Sequence, residues 1–265
     1  MLRSRIIPTL LIDQGNLVKT VKFRDPSYIG DPLNADKIFN EKEDDEMLVA
    51  DISASTRGEN PDYSLIRRLA AECRMPLCYA GGVRTAEQVQ EIIGLGVEKV
   101  GISAGALEDK CLIKEASERV GSQSVVAILD VTREEGSADF LLAPKSSCMT
   151  KRTSLEEHMV ACQDSGVGEF VVNDIDREGT MKGYSFELID KVQKISSVPL
   201  TVVGGAGSFE DLEALVKNFA PVGVGVGSLF VFKGKYRAVL ISYPKPSAKA
   251  RILGEDKPSS IVTRS

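Results

Sequence analysis

The chain has 265 residues, 43% hydrophobic and 27% charged, which suits one large globular domain or two small ones and excludes global disorder. Its 33 basic and 38 acidic residues give a net charge of −5, which offers no broad attraction to nucleic acid or anionic membranes. No apolar stretch is long enough to span a membrane, and the charged start does not resemble a signal peptide. We therefore expect a cytosolic protein with neither a nucleic-acid nor a membrane partner.

The cysteines and the single histidine do not form the patterns of common metal sites or catalytic triads. The five cysteines contain no Cys-x-x-Cys pair and are odd in number, which argues against a zinc ribbon and a disulfide framework. The single histidine, His158, falls in a predicted helix, where we expect a solvated or core-edge role. We expect no metal and no cofactor, so any chemistry depends on carboxylates, lysines, hydroxyls and backbone groups.

Short apolar runs rich in Val and Ile alternate with segments of helical period along the chain. Helix start signals separate the runs, at Asn60-Pro61 and in capping-box patterns that begin at Thr85, Ser154 and Ser208. The predicted strands are 6–12, 47–52, 76–80, 99–103, 124–130, 169–174, 199–203 and 222–226. This pattern predicts a single (β/α)8 TIM barrel over 1–244, with a doubly wound open sheet as the alternative and a flexible C-terminal tail over 245–265.

The two halves of the chain repeat each other. LCYAGGVRTAEQVQEIIGLGVEKVGISAGAL aligns with LTVVGGAGSFEDLEALVKNFAPVGVGVGSLF, which places Gly81 over Gly204, and Asp51 falls over Asp174 at the same offset. A half-barrel cannot cover its own sheet edges without the other half. The repeat therefore favours the closed barrel over the open sheet.

Glycines cluster just after several predicted strands, at the end of a TIM barrel where ligands bind. Backbone amides exposed by glycine, together with helix N-termini, suit phosphate groups. Tight turns alone are the alternative, but the repeated arrangement favours two phosphate cradles and a phosphorylated small-molecule ligand with two phosphates. The candidate phosphate- and substrate-binding residues are Gly81, Gly82, Ser103, Gly105, Asp176, Gly179, Thr180, Gly204, Gly205, Gly207, Gly227 and Ser228.

Carboxylates stand at the same strand ends. They are Asp51, Asp130, Asp174 and Asp176. A carboxylate there can take or give a proton if burial raises its pKa, and Asp130 ends its strand directly. For each acid, helix capping or pairing with a cation such as Arg177 is an equally good interpretation.

A different pattern marks the opposite end of the predicted barrel. The charged residues Arg5, Glu46, Lys99 and Glu169 stand at, or just before, the starts of strands. If these side chains point toward the barrel axis, two cations and two anions interlock across its floor. The alternative is that each charge is solvated outside its strand.

From Arg5 to about Leu240 the sequence resembles the cyclase subunit of imidazole-glycerol-phosphate synthase. The matching segments are RIIP, GDP, NEKEDDE, GGVRT, GSQSVVAILD, DREGTMKGY and GGAGSFED. The resemblance implies a TIM barrel that binds a bisphosphorylated ribosyl substrate at its top and receives ammonia from a glutaminase subunit docked at its floor. It also implies that Arg5, Glu46, Lys99 and Glu169 form an ammonia gate, and that Lys19 is a catalytic lysine.

The chain departs from this family at one of two catalytic aspartates. Asp130 matches the aspartate after strand five, but Leu11 stands where the family has the aspartate of strand one. Asp13, two residues further along, is the candidate substitute. The family's asparagine is Ser103 here, its serine is Asp174, and the loop after the fifth strand lacks the family's glycine-rich substrate contacts.

The chain is also similar to a paralogous branch of this family that is found with bacterial surface-polysaccharide genes. The similarity lies in Leu11 and in the segments VKTVKFRDPSYIGDP, MPLCYAGG and SLFVFKGKYRAVLISYP. This resemblance implies that the barrel and its glutaminase supply ammonia to a separate amidotransferase-like enzyme, which converts an acetamido group on a sugar into an acetamidino group. One alternative is an authentic cyclase subunit in histidine biosynthesis, with Asp13 or water replacing the missing acid. Another is a non-catalytic scaffold that only conducts ammonia.

Overall fold

The structure is a computed structural model that describes residues 3–42, 45–133, 136, 139–143 and 154–255. The strands are β1 (Arg5–Asp13), β2 (Asn16–Val21), β3 (Arg24–Gly30), β4 (Met47–Asp51), β5 (Leu77–Ala80), β6 (Lys99–Ile102), β7 (Val125–Arg133), β8 (Phe140–Leu142), β9 (Glu169–Asp174), β10 (Leu200–Val203), β11 (Gly223–Val226), β12 (Phe232–Lys233) and β13 (Ala238–Val239). The helices are α1 (Pro32–Asn40), α2 (Ile52–Arg57), α3 (Tyr63–Glu72), α4 (Ala86–Gly94), α5 (Ala104–Glu108), α6 (Leu112–Val120), α7 (Leu155–Asp164), α8 (Phe186–Ile195), α9 (Phe209–Phe219), α10 (Ser228–Val231) and α11 (Pro246–Leu253), with a 3₁₀ turn at Ser122–Ser124.

Eight parallel strands in the described ranges close into a barrel in the order β1, β4, β5, β6, β7, β9, β10, β11. Closure is made by β11 and β1, where Arg5 lies opposite Gly223 and Pro8 opposite Val226. The predicted (β/α)8 barrel is confirmed, and the open sheet is excluded. Among the described residues, no helix combines the length and apolarity needed to cross a membrane.

Alternate residues of each barrel strand point inward, so one strand contributes to successive levels of the interior. On β9, Glu169 lies at the floor, Val171 above it and Asn173 at the upper cavity. The middle level is an apolar layer one side chain deep, formed by Ile7, Leu48, Cys78, Val126, Val171 and Val203. The larger hydrophobic core lies outside the barrel, between the strands and the helices.

Helix starts agree with the sequence patterns in two of the three predicted capping boxes. Thr85 and Ser208 each form the complete reciprocal box, and both occupy the same position in the repeat. Ser154 accepts a hydrogen bond from the Glu157 amide without the reciprocal bond being present. The prediction at Asn60-Pro61 is wrong, because Asp62 caps α3 by accepting a hydrogen bond from the Leu65 amide at 3.0 Å.

Two hairpins that were not predicted lie outside the barrel. Strands β2 and β3 form an antiparallel hairpin that continues from β1, and β12 pairs with β13 after α10. Strand β8 pairs antiparallel with the end of β7, and it belongs to the divergent loop whose residues 144–153 lie outside the described residues.

The prediction of a flexible tail is wrong for Pro246–Leu253, which form α11. Proline occupies the first turn, where its missing N–H costs nothing, and Ile252 is buried against the core. Lys249 pairs with Asp45 at 2.9 Å, and Asp45 also pairs with Arg3 at 3.7 Å. Helix α11 is therefore tied through Asp45 to the loop before β4 and to the segment that precedes β1. Residues 256–265 lie outside the described residues.

His158 lies on α7 with little exposure, as its predicted core-edge role requires. Its Nε2 is 3.5 Å from the Cys162 sulfur, one turn along the helix. Burial lowers the pKa of His158 to about 4 and raises the pKa of Cys162 to about 12. Both groups are therefore neutral at physiological pH, and the pair is part of the core.

Asp36 on α1 is fully buried, and burial raises its pKa from 3.8 to about 6. Because the folded-state pKa exceeds the unfolded value, stability is lost as the pH rises from about 4 through 6. We expect the free energy of unfolding of the wild type to fall by about 1 to 1.5 kcal/mol relative to Asp36→Asn between pH 5 and pH 8. Urea denaturation at both pH values measures this difference.

The amide of Asp36→Asn has hydrogen-bonding costs of its own, but they do not depend on pH. The comparison of pH dependences therefore isolates ionisation of the carboxyl group. The exposed Asp25→Asn is the matched control and is expected to follow the wild type. Parallel pH profiles for Asp36→Asn and the wild type would contradict the prediction.

Candidate functional site

A cavity of about 240 Å³ opens at the carboxyl ends of the barrel strands, where sequence analysis places the site. Each barrel strand contributes to its wall, directly or through the residues that follow it. The predicted site residues that the cavity brings together are Leu11, Asp13, Lys19, Gly81, Gly82, Ser103, Gly105, Asp130, Gly179, Gly204, Gly205, Gly227 and Ser228.

Strand β1 presents three successive inward positions to this cavity. They are occupied by Thr9, Leu11 and Asp13. The isobutyl group of Leu11 gives the wall a hydrocarbon surface at its centre, where no proton can be exchanged. Asp13 also lines the cavity, but it lies one inward position, or about 6 to 7 Å, nearer the mouth.

Asp130 is a carboxylate in the wall of the cavity, and both of its oxygens accept hydrogen bonds. Ser103 donates its hydroxyl to Oδ2 at 2.8 Å, and Asn173 donates its amide N–H to Oδ1 at 3.0 Å. Burial raises the pKa of Asp130, while the hydrogen bonds from Ser103 and Asn173 act in the opposite direction. The carboxylate is thus fixed in orientation and poised to hold a proton more readily than an exposed aspartate.

Lys19 reaches the cavity from β2, outside the barrel. Its ammonium group donates to the carbonyl oxygen of Thr9, and it lies against the Cα of Gly227. Burial lowers the pKa of Lys19 to about 8, although the nearby Glu178 carboxylate opposes the shift. The cavity therefore contains a desolvated cation next to the N-terminus of α10.

The lowered pKa of Lys19 predicts pH-dependent anion binding. Above about pH 8 the ammonium loses its proton, so we expect the affinity for sulfate, whose charge is constant in this range, to fall about 10-fold between pH 7 and pH 9. Isothermal titration calorimetry with sulfate measures the effect. The Lys19→Met variant should bind weakly at both pH values, and an unchanged pH dependence in that variant would contradict the assignment.

The floor of the barrel carries a closed ring of alternating charges. Arg5 pairs with Glu46 and with Glu169, the second at 2.8 Å, and Lys99 pairs with the same two carboxylates at 2.7 and 2.8 Å. Burial lowers the pKa of Lys99, but Glu169 and Glu46 outweigh it and the pKa is raised. Burial raises the pKa of Glu46. Burial acts in the same direction on Glu169, but Arg5 and Lys99 outweigh it, and the pKa of Glu169 is lowered; the Thr201 hydroxyl, which donates to Glu169 at 2.6 Å, makes a smaller contribution in the same direction as these cations.

The charged floor, the cavity and the half-barrel repeat can now be compared with known proteins. Residues 5–237 match the family model described as "Histidine biosynthesis protein". The chain is a HisF-like member of this family. The sequence-based resemblance to the cyclase subunit of imidazole-glycerol-phosphate synthase is confirmed at the level of the family.

Relatives match over most of their lengths. A Vibrio vulnificus protein provisionally named imidazole glycerol phosphate synthase subunit hisF3 is 51% identical over 259 residues, 96% of this chain and 97% of that protein. A Pseudomonas aeruginosa protein provisionally named subunit hisF2 is 46% identical over 244 residues, 92% and 97% of the two chains. The Streptomyces coelicolor imidazole glycerol phosphate synthase subunit HisF is 36% identical over 221 residues, 83% and 84% of the two chains.

The repeat gives this HisF-like barrel two matching half-sites at the cavity wall. Ser103 before α5 and Gly227 before α10 adopt nearly the same backbone, with φ,ψ of −108°, −94° and −102°, −91°. Ser103 makes no side-chain hydrogen bond to its helix and Gly227 has no side chain, so the first-turn amides at each position are available to a ligand. These paired amides are compatible with the two predicted phosphate cradles.

The glycines themselves also have a steric explanation. Gly81 and Gly204 have φ values of +131° and +102°, and a Cβ atom on either would overlap a backbone carbonyl of the neighbouring strand, at Asp51 or Asp174. The tight turn directly after the strand therefore requires glycine at both positions, whether or not a ligand binds there. The phosphate prediction depends on the uncapped amides rather than on these glycines.

Three predicted ligand residues, Asp176, Thr180 and Gly207, do not line the cavity. Asp176 instead accepts hydrogen bonds from the Thr132 hydroxyl at 3.0 Å and the Arg133 amide at 2.8 Å. Thr180 donates to the Arg177 carbonyl at 2.8 Å, and Gly207 packs against the Met181 backbone. Their contacts organise the loop after β9.

The other two strand-end acids have capping contacts. Oδ1 of Asp51 accepts hydrogen bonds from the Ser53 and Ala54 amides at the start of α2. Oδ1 of Asp174 accepts from the amides of Asp176 and Arg177. The helix-capping alternative from the sequence thus describes Asp51, whereas Asp174 stabilises the turn after β9 and also pairs with Arg177 at 3.8 Å, the other alternative.

Sequence reasoning missed two polar residues of the site, Asn173 and Glu178. Asn173 orients Asp130, and its own amide oxygen is buried at the cavity without a hydrogen-bond partner. Glu178 accepts hydrogen bonds from the Thr20 hydroxyl and the Phe23 amide, and so ties the β2–β3 hairpin to the loop after β9. The inward phase of β9 gave a signal for Asn173, but no local pattern connects Glu178 to a hairpin more than 150 residues away.

Within the described ranges, no group of three or more His, Cys, Asp or Glu residues is arranged to hold a metal ion.

Proposed function

We propose that this chain is the HisF-like barrel subunit of a glutamine-dependent amidotransferase system and receives ammonia from a glutaminase partner. A glutaminase partner docks at the floor and releases ammonia, which passes along the barrel axis toward the cavity. A separate amidotransferase-like enzyme consumes the ammonia: the ammonia nitrogen replaces the carbonyl oxygen of an acetamido group on a surface-polysaccharide sugar, the oxygen leaves on a phosphate group derived from ATP, and an acetamidino group results. The observation that carries the proposal is Leu11 in the cavity wall above an intact charged floor.

The interior is suited to a small neutral base. The four charges of the floor neutralise one another, so an arriving ion finds no uncompensated partner there. The apolar layer above them excludes ammonium more strongly than ammonia, because burying an unpaired ion costs far more than burying a neutral polar molecule. The cavity reaches this layer from above at Leu48 and Val171, so one level of side chains must move for ammonia to pass.

The top of the barrel lacks the pair of acids expected of a cyclase. Leu11 cannot transfer a proton, and Asp130 is left with neutral hydrogen-bonding neighbours. The Vibrio vulnificus hisF3 and Pseudomonas aeruginosa hisF2 proteins are 51% and 46% identical to this chain, against 36% for the Streptomyces coelicolor HisF, and these three values are consistent with a paralogous role. These observations support delivery of ammonia to a carbonyl that another enzyme activates.

The second candidate function is the cyclase reaction itself, as in the relatives named imidazole glycerol phosphate synthase subunits. Two observations favour it: Asp130 is buried with a raised pKa, and Asp13 lines the same cavity. In that case Asp13 or a water molecule takes the place of the missing acid. A third candidate, a scaffold without proton transfer, predicts that Asp130→Asn leaves the activity of the complex unchanged.

Isotope transfer tests the leading proposal. The barrel, the glutaminase and the acceptor enzyme from the same organism are combined with [amide-¹⁵N]glutamine, ATP and the acetamido sugar, and the product is analysed by mass spectrometry. We expect a labelled acetamidino sugar only when all three proteins are present, and barrel-independent product with excess ammonium. Unchanged labelling without the barrel would overturn the proposal.

A further inference from the structure

Exposed apolar side chains are concentrated on the two hairpins beside the cavity mouth. Of the seven large hydrophobic residues exposed in the described part of the chain, five lie on or next to β2–β3 and β12–β13. They are Val21, Tyr28, Tyr236, Val239 and Leu240. Tyr236, at the β12–β13 turn, is 91% exposed.

The two hairpins meet at one loop and so form a continuous surface. Both terminal guanidinium nitrogens of Arg237 are 3.5 Å from the carbonyl oxygen of Gly179. On its other side, Gly179 packs against the backbone of Thr20 and Val21, and the Lys22 amide donates to Glu178 at 3.0 Å. Gly179 also lines the cavity, so this hairpin surface borders the mouth.

The hairpin surface is strongly basic in an acidic protein. Its exposed charged residues are Lys22, Arg24, Lys233, Lys235 and Arg237 against Asp25. The chain as a whole has a net charge of −5. A second copy of this chain docked through the same face would bring like charges together, which disfavours a homodimer there.

We propose that the hairpin surface is the docking site of the acceptor enzyme, which binds through an apolar patch bordered by acidic side chains. The inference rests on the proposed function. Ammonia that escapes into neutral water becomes protonated and loses its nucleophilicity, so the acceptor enzyme must cover the mouth to receive it. The exposed aromatic and aliphatic side chains supply the contact area, and the basic residues select an acidic partner.

The test uses the complete three-protein system with two double variants, Tyr236→Ser/Leu240→Ser and Lys233→Glu/Lys235→Glu. We expect each to lower the amount of acetamidino product per glutamine hydrolysed at least 10-fold. Glutamine hydrolysis and the ammonium-dependent activity of the acceptor enzyme should stay within 2-fold of the wild type. The matched controls are Val160→Ser on α7 and Lys114→Glu on α6, exposed residues away from the hairpins, and both should couple normally.

Sedimentation of the barrel with the acceptor enzyme measures docking directly. We expect the complex to be lost in both double variants and weakened at 0.5 M NaCl, and thermal unfolding of each variant establishes that the barrel is intact. Normal coupling and binding in the folded double variants would overturn the docking site. Loss of labelled product already in the wild-type system would instead contradict the proposed function.

A basic apolar surface also suits an anionic membrane. Vesicles of phosphatidylcholine with phosphatidylserine therefore serve as the competing probe. The docking proposal predicts no cosedimentation of the barrel with these vesicles. Vesicle binding that Lys233→Glu/Lys235→Glu abolishes, together with normal binding of the acceptor enzyme by that variant, would overturn the docking proposal.

Discussion

Given ammonium and the bisphosphorylated ribulosyl substrate, the purified chain is expected to form imidazole glycerol phosphate about 10² to 10⁴ times more slowly than the Streptomyces coelicolor HisF. The reason is the hydrocarbon surface of Leu11 at the centre of the cavity wall, where a second proton-transfer group is needed. Asp13 lies one inward position, or about 6 to 7 Å, nearer the mouth than Leu11. Initial rates from product absorbance or chromatography measure the difference.

The variant Leu11→Asp restores a carboxylate at that position, and we expect it to raise the cyclase rate about 10-fold or more. Leu11→Asn is the matched control, because asparagine has nearly the same shape as aspartate and is also polar, but its amide cannot act as a general acid or base. We expect no comparable gain from it. Wild-type turnover close to that of the Streptomyces coelicolor protein would show that this barrel is a histidine-pathway cyclase after all.

The second large effect is expected at the charged floor. Lys99→Met leaves the carboxylates of Glu46 and Glu169 facing each other with Arg5 as their remaining partner. Breaking a largely buried ion-pair network on one side leaves an uncompensated charge and costs about 3 to 5 kcal/mol. We expect that loss in the free energy of unfolding from urea denaturation, together with glutamine hydrolysis that no longer yields amidated product.

Charge balance in the ring gives this prediction its control. The double variant Lys99→Met/Glu46→Gln removes one cation and one anion, so it should recover most of the lost stability. Recovery of stability without recovery of ammonia delivery would assign the coupling to the charged side chains themselves. A loss below about 1 kcal/mol in Lys99→Met would mean that the ring is no more than a set of surface ion pairs.

The barrel strands were predictable because parallel strands covered on both sides are continuously apolar. Met47–Asp51 and Glu169–Asp174 match the predicted runs within a residue. The hairpins were not predictable in this way. Strand β3 is mostly exposed, and the β2–β3 hairpin is attached through Glu178, which is remote in sequence.

Helix α11 was missed for a related reason. Its sequence has a single buried residue, Ile252, and no apolar period to reveal a helix. Its ion pairs join Lys249 to Asp45 and Arg251 to Glu213, partners that only the folded barrel brings near. Tertiary contacts therefore decide the structure of a segment whose local signals favour an irregular end.

The site could be predicted by position but less well by role. Strand ends and the repeat located the cavity, and the family resemblance placed Leu11 at the site, where the structure has it in the cavity wall. Asp176 differs from its predicted ligand-binding role because it accepts hydrogen bonds from Thr132 and Arg133, and Asp51 caps α2. Asn173 and Glu178 were missed because their partners become neighbours only when the barrel closes.

The Asp45 carboxylate, shared by Arg3 and Lys249, has a consequence for how the chain can be rearranged. It holds a residue near each end of the described chain beside one carboxylate, so a peptide linker can join the segment before β1 to the segment after α11. A circularly permuted gene that starts at Ser122 would then encode the second half-barrel before the first. Every strand would keep its neighbours in the barrel. The order of the two halves along the chain would change, and the architecture would not.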